Sequence, residues 1–245
     1  MVTATLLNAG IAHGQQTNSC TTCGANATVL GSSNSSNSPQ TLIQGVANTV
    51  GFGSKWSFTI GNNNVTGNDA IYSFISGPLN QIGDNSGGSS GTFTAAANSV
   101  FGNHNQVNDQ TANASVFGQR NFINVGQINQ ENFAALNTAF IFGEENQILN
   151  LSGNTIPITE FGQQRALQYI VGFGEDNRLG IIDDGTERAE HQYAFGQFLE
   201  ILDQNKAFLL GTGSSASNKL ALQQSQAFAI GFNSEVPQYI ARYNP

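Results

Sequence analysis

One short unit recurs along this chain: a glycine, an asparagine three residues on, and an apolar residue two beyond that. It stands at Gly45-Asn48-Val50, Gly77-Asn80-Ile82, Gly102-Asn105-Val107, Gly118-Asn121-Ile123, Gly143-Asn146-Ile148 and Gly174-Asn177-Leu179. In a chain this rich in Gly, Asn and apolar residues about one match is expected by chance, so six make a repeat. Relaxing the asparagine adds Gly53-Trp56-Phe58, Gly162-Arg165-Leu167, Gly196-Leu199-Ile201 and Gly231-Ser234-Val236. An apolar pair or triplet precedes most of these glycines, as in the twin segments NSVFG (98–102) and ASVFG (114–118). The step is 16 residues between Gly45, Gly61 and Gly77, and again between Gly102 and Gly118, with longer steps elsewhere.

A short apolar strand, a glycine able to take positive φ, a polar turn and a second short strand beginning at the apolar residue make one coil of a solenoid. Such a coil hides its apolar residues only against the next coil. Asparagine at the same place in every turn predicts a stacked amide ladder, each side chain bonded to the one above. Longer steps, such as Gly77 to Gly102 with DNSGGSSGTFT between them, are expected to be loops ejected from one face. A dozen coils at roughly 4.8 Å per layer would form a rod on the order of 60 Å long. Two stretches have a helical alternative. Residues 185–194 follow Asp184-x-x-Glu187, the spacing of a capping box, and QENFAALNTAF (130–140) carries a helical apolar spacing.

Composition narrows the function classes. Only 10% of the 245 residues are charged, against about 25% in ordinary soluble domains, so solubility rests on amides and hydroxyls. With a net charge of −8 and eight scattered Lys and Arg, no basic stripe can neutralise a phosphate backbone, and nucleic acid is not an expected partner. The chain has no run of 18 apolar residues, and its start, MVTATLLNAGIAHGQ, lacks a positive region followed by an apolar stretch. Neither membrane insertion nor a secretory signal is expected. The sequons at Asn26, Asn34, Asn64, Asn113 and Asn150 are then incidental to an Asn-rich chain, because glycosylation requires a secretory route.

Charge is also uneven, since residues 1–100 hold only Lys55, Asp69 and Asp84. Residues 1–41, with TNSCTTCGANATVLGSSNSSNSPQ, have a flexible composition and are expected to be an N-terminal attachment segment. Residues 42–236 are expected to be repeats with loop insertions, and 237–245 a C-terminal tail. In CTTC, Cys20 and Cys23 could be half a zinc site or a redox pair. Zinc wants four ligands, however, and only His13 is near, while a redox motif wants a βαβ setting; two inert residues or an incidental disulfide is the simpler reading.

No cofactor, metal or catalytic constellation is legible. The one dense carboxylate cluster is Glu175-Asp176, Asp183-Asp184, Glu187 and Glu190, beside His191. Asp183, Asp184 and Glu187 are the candidates for a glycan-cleaving pair or a calcium site, both of which need convergent acidic oxygens. The alternative is a solvated acidic loop paired with Arg178 and Arg188. Glu144-Glu145 in FGEENQI sits at the variable turn positions and is expected to face solvent. Close glycines in FGFGEDN and GTGSSAS lack the Lys-Ser/Thr pair and strand–helix context of a phosphate loop. IGNNNV and IGFNSEV echo the turn unit of left-handed hexapeptide acyltransferases, but a six-residue period is not sustained and no active-site His is evident.

In AFAIGFNSEV (227–236) and the paired SVFG units the chain resembles the head domain of trimeric autotransporter adhesins. The resemblance spans 42–236 in pattern, with a handful of close units. It implies an all-β solenoid, a left-handed parallel β-roll of short coils, packed side by side as a homotrimer. Phe and Ile stand where that family prefers Ala, so the roll or its seam must be roomier. The family's signal, stalk and anchor are not seen in this sequence. Similar rolls in bacteriophage fibres, made in the host cytoplasm, fit better. Trimerisation follows also from the repeated Phe, which offers more apolar surface than one thin coil can hide; the alternative is a wider monomeric coil filled by Phe. The expected function is a non-enzymatic virion fibre or appendage. Its N-terminal part would dock on a capsid or tail protein, and its later coils would contact a host surface glycan or protein. A tailspike-like polysaccharide depolymerase and a bacterial adhesin passenger, cut from a longer precursor with signal and anchor, are the alternatives.

Overall fold

The coil of residues 99–113 shows how this sequence builds its turns. In Ser99–Asn103 the strand alternation sends Val100 inward, fully buried, and Ser99 and Phe101 outward. Gly102 at φ +127 and His104 at φ 55 then turn the chain, so that Asn105 points into the interior and Gln106–Val107 forms the second strand. Val107 closes the core from the other side. A second corner with Asn113 at φ 56 returns the chain to the first sheet one layer on. In the computed structural model, which describes residues 20–23, 26–68, 70–83, 95–107, 111–125, 136–150, 167–181, 189–223, 225–232 and 238–242, this plan repeats from Gly31 to Gly231.

The described elements are all strands. They form two sheets, one of 14 strands carrying the glycines and one of 11, and every strand but the last, Gln238–Arg242, pairs in parallel with its counterpart one coil away. The register is set by the glycines: Gly31 pairs with Gly45 and Gly45 with Gly61, the strand before Gly77 pairs in the same register with those before Gly61 and Gly102, and Gly102, Gly118, Gly143, Gly174, Gly196, Gly211 and Gly231 pair in succession. The fold is therefore the expected all-β solenoid. Eleven layers give an axial length on the order of 50 Å.

The core is a double column. Ile43, Ile75, Val100, Val116, Ile141 and Leu209 enter from the glycine sheet, and Val50, Ile82, Val107, Ile123, Ile148, Leu179, Ile201 and Leu222 from the other. Early coils mix in hydroxyls that satisfy one another, as Ser36 Oγ with Thr41 Oγ1 (2.8 Å) and Thr59 Oγ1 with Thr66 Oγ1 (2.9 Å). Later coils replace these by Ile, Leu and Ala. The one buried glutamine among the described residues, Gln192, is satisfied by the Gly180 N–H (2.7 Å) and the Gln204 carbonyl (2.8 Å).

Several expectations change. The helical alternatives do not hold where the chain is described: residues 136–144 and 189–197 are strands. Both neighbours of each strand claim its backbone groups, with Gln192, Tyr193 and Ala194 paired to Ile170, Val171 and Gly172 and to Ala207, Phe208 and Leu209. Two relaxed matches are out of register. Trp56 is the left-handed residue before strand Phe58–Asn62, and Leu167 opens a strand of the glycine sheet rather than the second sheet. Coils also reach back into the expected attachment segment, because Thr28–Ser32 pairs with Leu42–Val46 and Cys20–Cys23 with Asn34–Ser36. In the expected tail, Gln238–Arg242 adds to Ala227–Phe232 as an antiparallel strand covering that sheet edge.

Candidate functional site: an amide spine and an outward phenyl column

Two linear arrays run through the stack, one inside it and one outside. The inner array begins at the glycines. A Cβ on Gly118 would lie 1.8 Å from the carbonyl oxygen of Gly143, and its φ is +126. No other residue fits there, because the backbones of successive coils touch at this column.

Three residues later, in the coils of Gly31 to Gly174, stands the spine: Asn34, Asn48, Asn64, Asn80, Asn105, Asn121, Asn146 and Asn177, all buried. Asn105 shows the pattern. Its main-chain N–H and its Nδ2 both donate to Asn80 Oδ1 (3.1 and 3.0 Å), Nδ2 also donates to the Gly118 carbonyl (2.8 Å), and its own Oδ1 accepts the N–H and Nδ2 of Asn121 (3.0 Å each). Each amide thus ties three coils, using both of its N–H groups and both oxygen lone pairs. Aspartate could not donate to the glycine carbonyl, and serine is too short to reach both neighbours. The expected ladder is present, and it includes Asn34 and Asn64, which the strict pattern skips because Ser36 and Thr66 occupy the apolar place. Those two sequon asparagines are buried in the ladder, so neither can carry a glycan in the folded chain.

The outer array is phenyl. The residue two before each glycine points inward, while the first and third before it point outward. The phenylalanines take the outward places, so the wider coil with a Phe core is not what forms. Rings follow one another from Phe58 to Phe74 (6.5 Å between centroids), Phe101 (5.0 Å), Phe117 (4.8 Å), Phe142 (6.3 Å), Phe173 (4.9 Å), Phe195 (6.2 Å), Phe208 (5.4 Å) and Phe228 (4.8 Å). Phe58, Phe142 and Phe173 remain 45–47% exposed despite this stacking. Nine rings about 4.8 Å apart along the axis span roughly 40 Å, so a strip about 12 Å wide has an area on the order of 500 Å², as large as the largest patch on a typical monomer. The period-2 placement was visible in the two S-V-F-G units, where only the middle residue is aliphatic.

The acidic candidates are described only in part. Asp183, Asp184 and Glu187 lie outside the described residues. Asp176 turns inward at its corner, where Lys219 Nζ meets both its Oδ1 (2.6 Å) and its carbonyl oxygen (2.5 Å). Glu175 accepts from Gln197 Nε2 (3.0 Å). Arg178 pairs with Glu200 (2.9 Å), a partner outside the cluster. Glu144 and Glu145 both engage Arg120, the latter at 2.7 Å, and stay about half exposed. Among the described residues no three His, Cys, Asp or Glu side chains gather as a metal site. No helix of the described residues is long and apolar enough to cross a membrane. No protein family, curated protein or solved structure matches this chain.

Proposed function

We propose that this chain is a structural fibre or appendage protein of a virion, assembled as a side-by-side homotrimer, that attaches to the host cell surface. The observation that carries the reading is the outward phenyl column. A stripe of stacked rings on nine successive coils is costly to leave in water, and a cyclic arrangement of identical copies covers it along its whole length without leaving an open edge. The amide spine ties successive coils into a stiff rod. In this reading the charge-poor N-terminal coils dock on a capsid or tail protein, and the coils with insertions face the host. Attachment through many weak contacts to surface glycans or proteins gains strength from copy number. The resemblance of AFAIGFNSEV and the SVFG pair to adhesin β-rolls agrees with this. The protein would be made in the host cytoplasm and act on the particle.

Light scattering on the purified chain tests the assembly. Three copies of the 25.9 kDa chain give about 78 kDa; a single 25.9 kDa species at micromolar concentration rejects it. Incubation with capsular polysaccharide is expected to release no new reducing ends. Release that disappears in Asp183→Asn or Glu187→Gln would replace this reading with a depolymerase.

A further inference from the structure

The second corner of the coil carries a feature that the solenoid does not require. In every coil one residue there has φ near +55; Asn113 suits that conformation, and Gln40 is held in it. In two successive coils the residue is instead Trp56 (φ 60) and Tyr72 (φ 56), and in two later ones it is Tyr169 (φ 54) and His191 (φ 57), which stack on each other at 4.9 Å. Positive φ is uncommon for bulky aromatics and is retained where the surroundings enforce it. These rings fill no core: Tyr72 is 64% exposed, Trp56 48%, and Phe52, four residues before Trp56, 63%.

The loop that presents them is firmly held. The Phe52 N–H donates to Asn68 Oδ1 (2.9 Å), and Ser54 Oγ donates to the Gly67 carbonyl and accepts from the Ala70 N–H (3.0 Å). Ser57 Oγ donates to the Ala70 carbonyl (2.7 Å). The corners themselves are stitched, Trp56 N–H to the Gln40 carbonyl (3.1 Å) and Tyr72 N–H to the Lys55 carbonyl (3.0 Å). Exposed aromatics on a fixed backbone make a preorganised surface rather than a floppy one.

We propose that Phe52, Trp56 and Tyr72 form a subsite for an uncharged glycan, resting on the attachment reading above for its biological role. The apolar C–H face of a pyranose ring stacks on Trp and Tyr, whose polar ends stay wet. Trp56 and Tyr72 are one layer apart, about 4.8 Å along the axis, a step comparable with the thickness of a sugar ring. Exposed Gln40 one layer before Trp56, and exposed Lys55 beside it, offer hydroxyl-binding donors at the rim. The charge of the region points to a neutral ligand, since residues 1–100 contain only three charged side chains. Three rings are also far too little surface for a stable protein partner, which needs about 800 Å² per side.

Trp56 is the only tryptophan, so intrinsic fluorescence reads this corner directly. The full chain is titrated separately with glucose, galactose, N-acetylglucosamine and rhamnose at millimolar concentrations. At least one sugar is expected to give a saturable emission change. Tyr72→Asn, chosen because asparagine suits positive φ and so preserves the corner, is expected to weaken that sugar at least about fivefold, and Phe52→Ala should weaken it too. Absence of saturation with all four sugars overturns the proposal, as does a Tyr72→Asn titration identical to the unchanged chain. A third outcome also overturns it: Trp56 shielded from acrylamide in the assembled protein but open in a monomeric variant, which would assign the corner to a contact between copies. Solution mass is measured independently, so loss of the fibre reading and loss of the sugar site are distinguishable.

Discussion

The coils from Asn34 to Asn177 and the coils of Leu199 and Leu220 turn the same corner with opposite chemistry. In the first group a buried amide bonds to both neighbours; in the second a leucine, 0–1% exposed, packs with Ile201, Leu209 and Leu222. The backbone pairing is unbroken across the change, with Arg178 paired to Glu200 and Leu199 to Leu220. What differs is the length of the corner that follows Leu199. Three residues separate Gly174 from Asn177 and Gly196 from Leu199, but nine separate Gly211 from Leu220. The extra residues form a small bridge between Ser215 and Asn218. As a result the Leu220 N–H bonds to the Phe198 carbonyl (2.9 Å), whereas the Leu199 N–H still bonds to Asn177 Oδ1 (3.0 Å). An amide ladder persists only while every corner has the same length; once it changes, an oxygen at position 199 would lose its acceptor role, and apolar packing takes over.

The ladder and the leucine coils can be set against each other by substitution, read by chemical denaturation. The largest effect is expected at the glycines they share. Gly118→Ala and Gly211→Ala each drive a methyl group to 1.8 Å from a carbonyl oxygen, so both should cost more than about 4 kcal/mol or prevent folding. A mild effect at Gly211 alone would mean that the two regions do not share this contact. Next comes the spine: Asn105→Leu leaves the Gly118 carbonyl and the Asn121 donors without partners, at about 1–3 kcal/mol for each group. Leu199→Asn should also destabilise, by about 2 kcal/mol, because its Oδ1 meets no donor from Leu220. If Leu199→Asn instead stabilised, corner length would not be what ends the ladder.

Smaller effects separate the corner ion pairs. Lys219 arises from the inserted bridge region and reaches back to Asp176, with side-chain exposures of 8% and 13%. Lys219→Met should cost about 3 kcal/mol, since it strands a nearly buried carboxylate. Arg120, 56% exposed against Glu144 and Glu145, should tolerate Arg120→Ala at under about 1 kcal/mol.

Much of this architecture was legible in the sequence. Gly-x-x-Asn recurs because each atom of the asparagine amide has one fixed task, and residues with one fixed task repeat visibly. Strand partners also followed, since Gly102 over Gly118 aligns everything between them. Harder to read were Asn34 and Asn64, whose coils close on Ser36 and Thr66 rather than on an apolar residue. Gly53-Trp56-Phe58 imitated the unit by spacing alone, although its tryptophan belongs to the opposite corner. The direction of the phenylalanines required attention to alternation rather than to hydrophobicity: Val100 and Val116 are the core, and Phe101 and Phe117 are not. Lys219 with Asp176 was beyond reach, because a contact between residues 43 apart depends on how many layers lie between them.

The division between aliphatic interior and phenyl exterior carries the functional reading, and one variant tests it. Serine already occupies outward places at Ser76, Ser99 and Ser115, so Phe117→Ser, Phe142→Ser and Phe173→Ser together should leave the strands intact. Solution mass and far-ultraviolet circular dichroism are measured on the triple variant beside the unchanged chain. The expected result is an unchanged β signal with the mass falling from about 78 kDa to that of a single 25.9 kDa chain. An unchanged mass, or loss of the β signal as if a core had been removed, would contradict it.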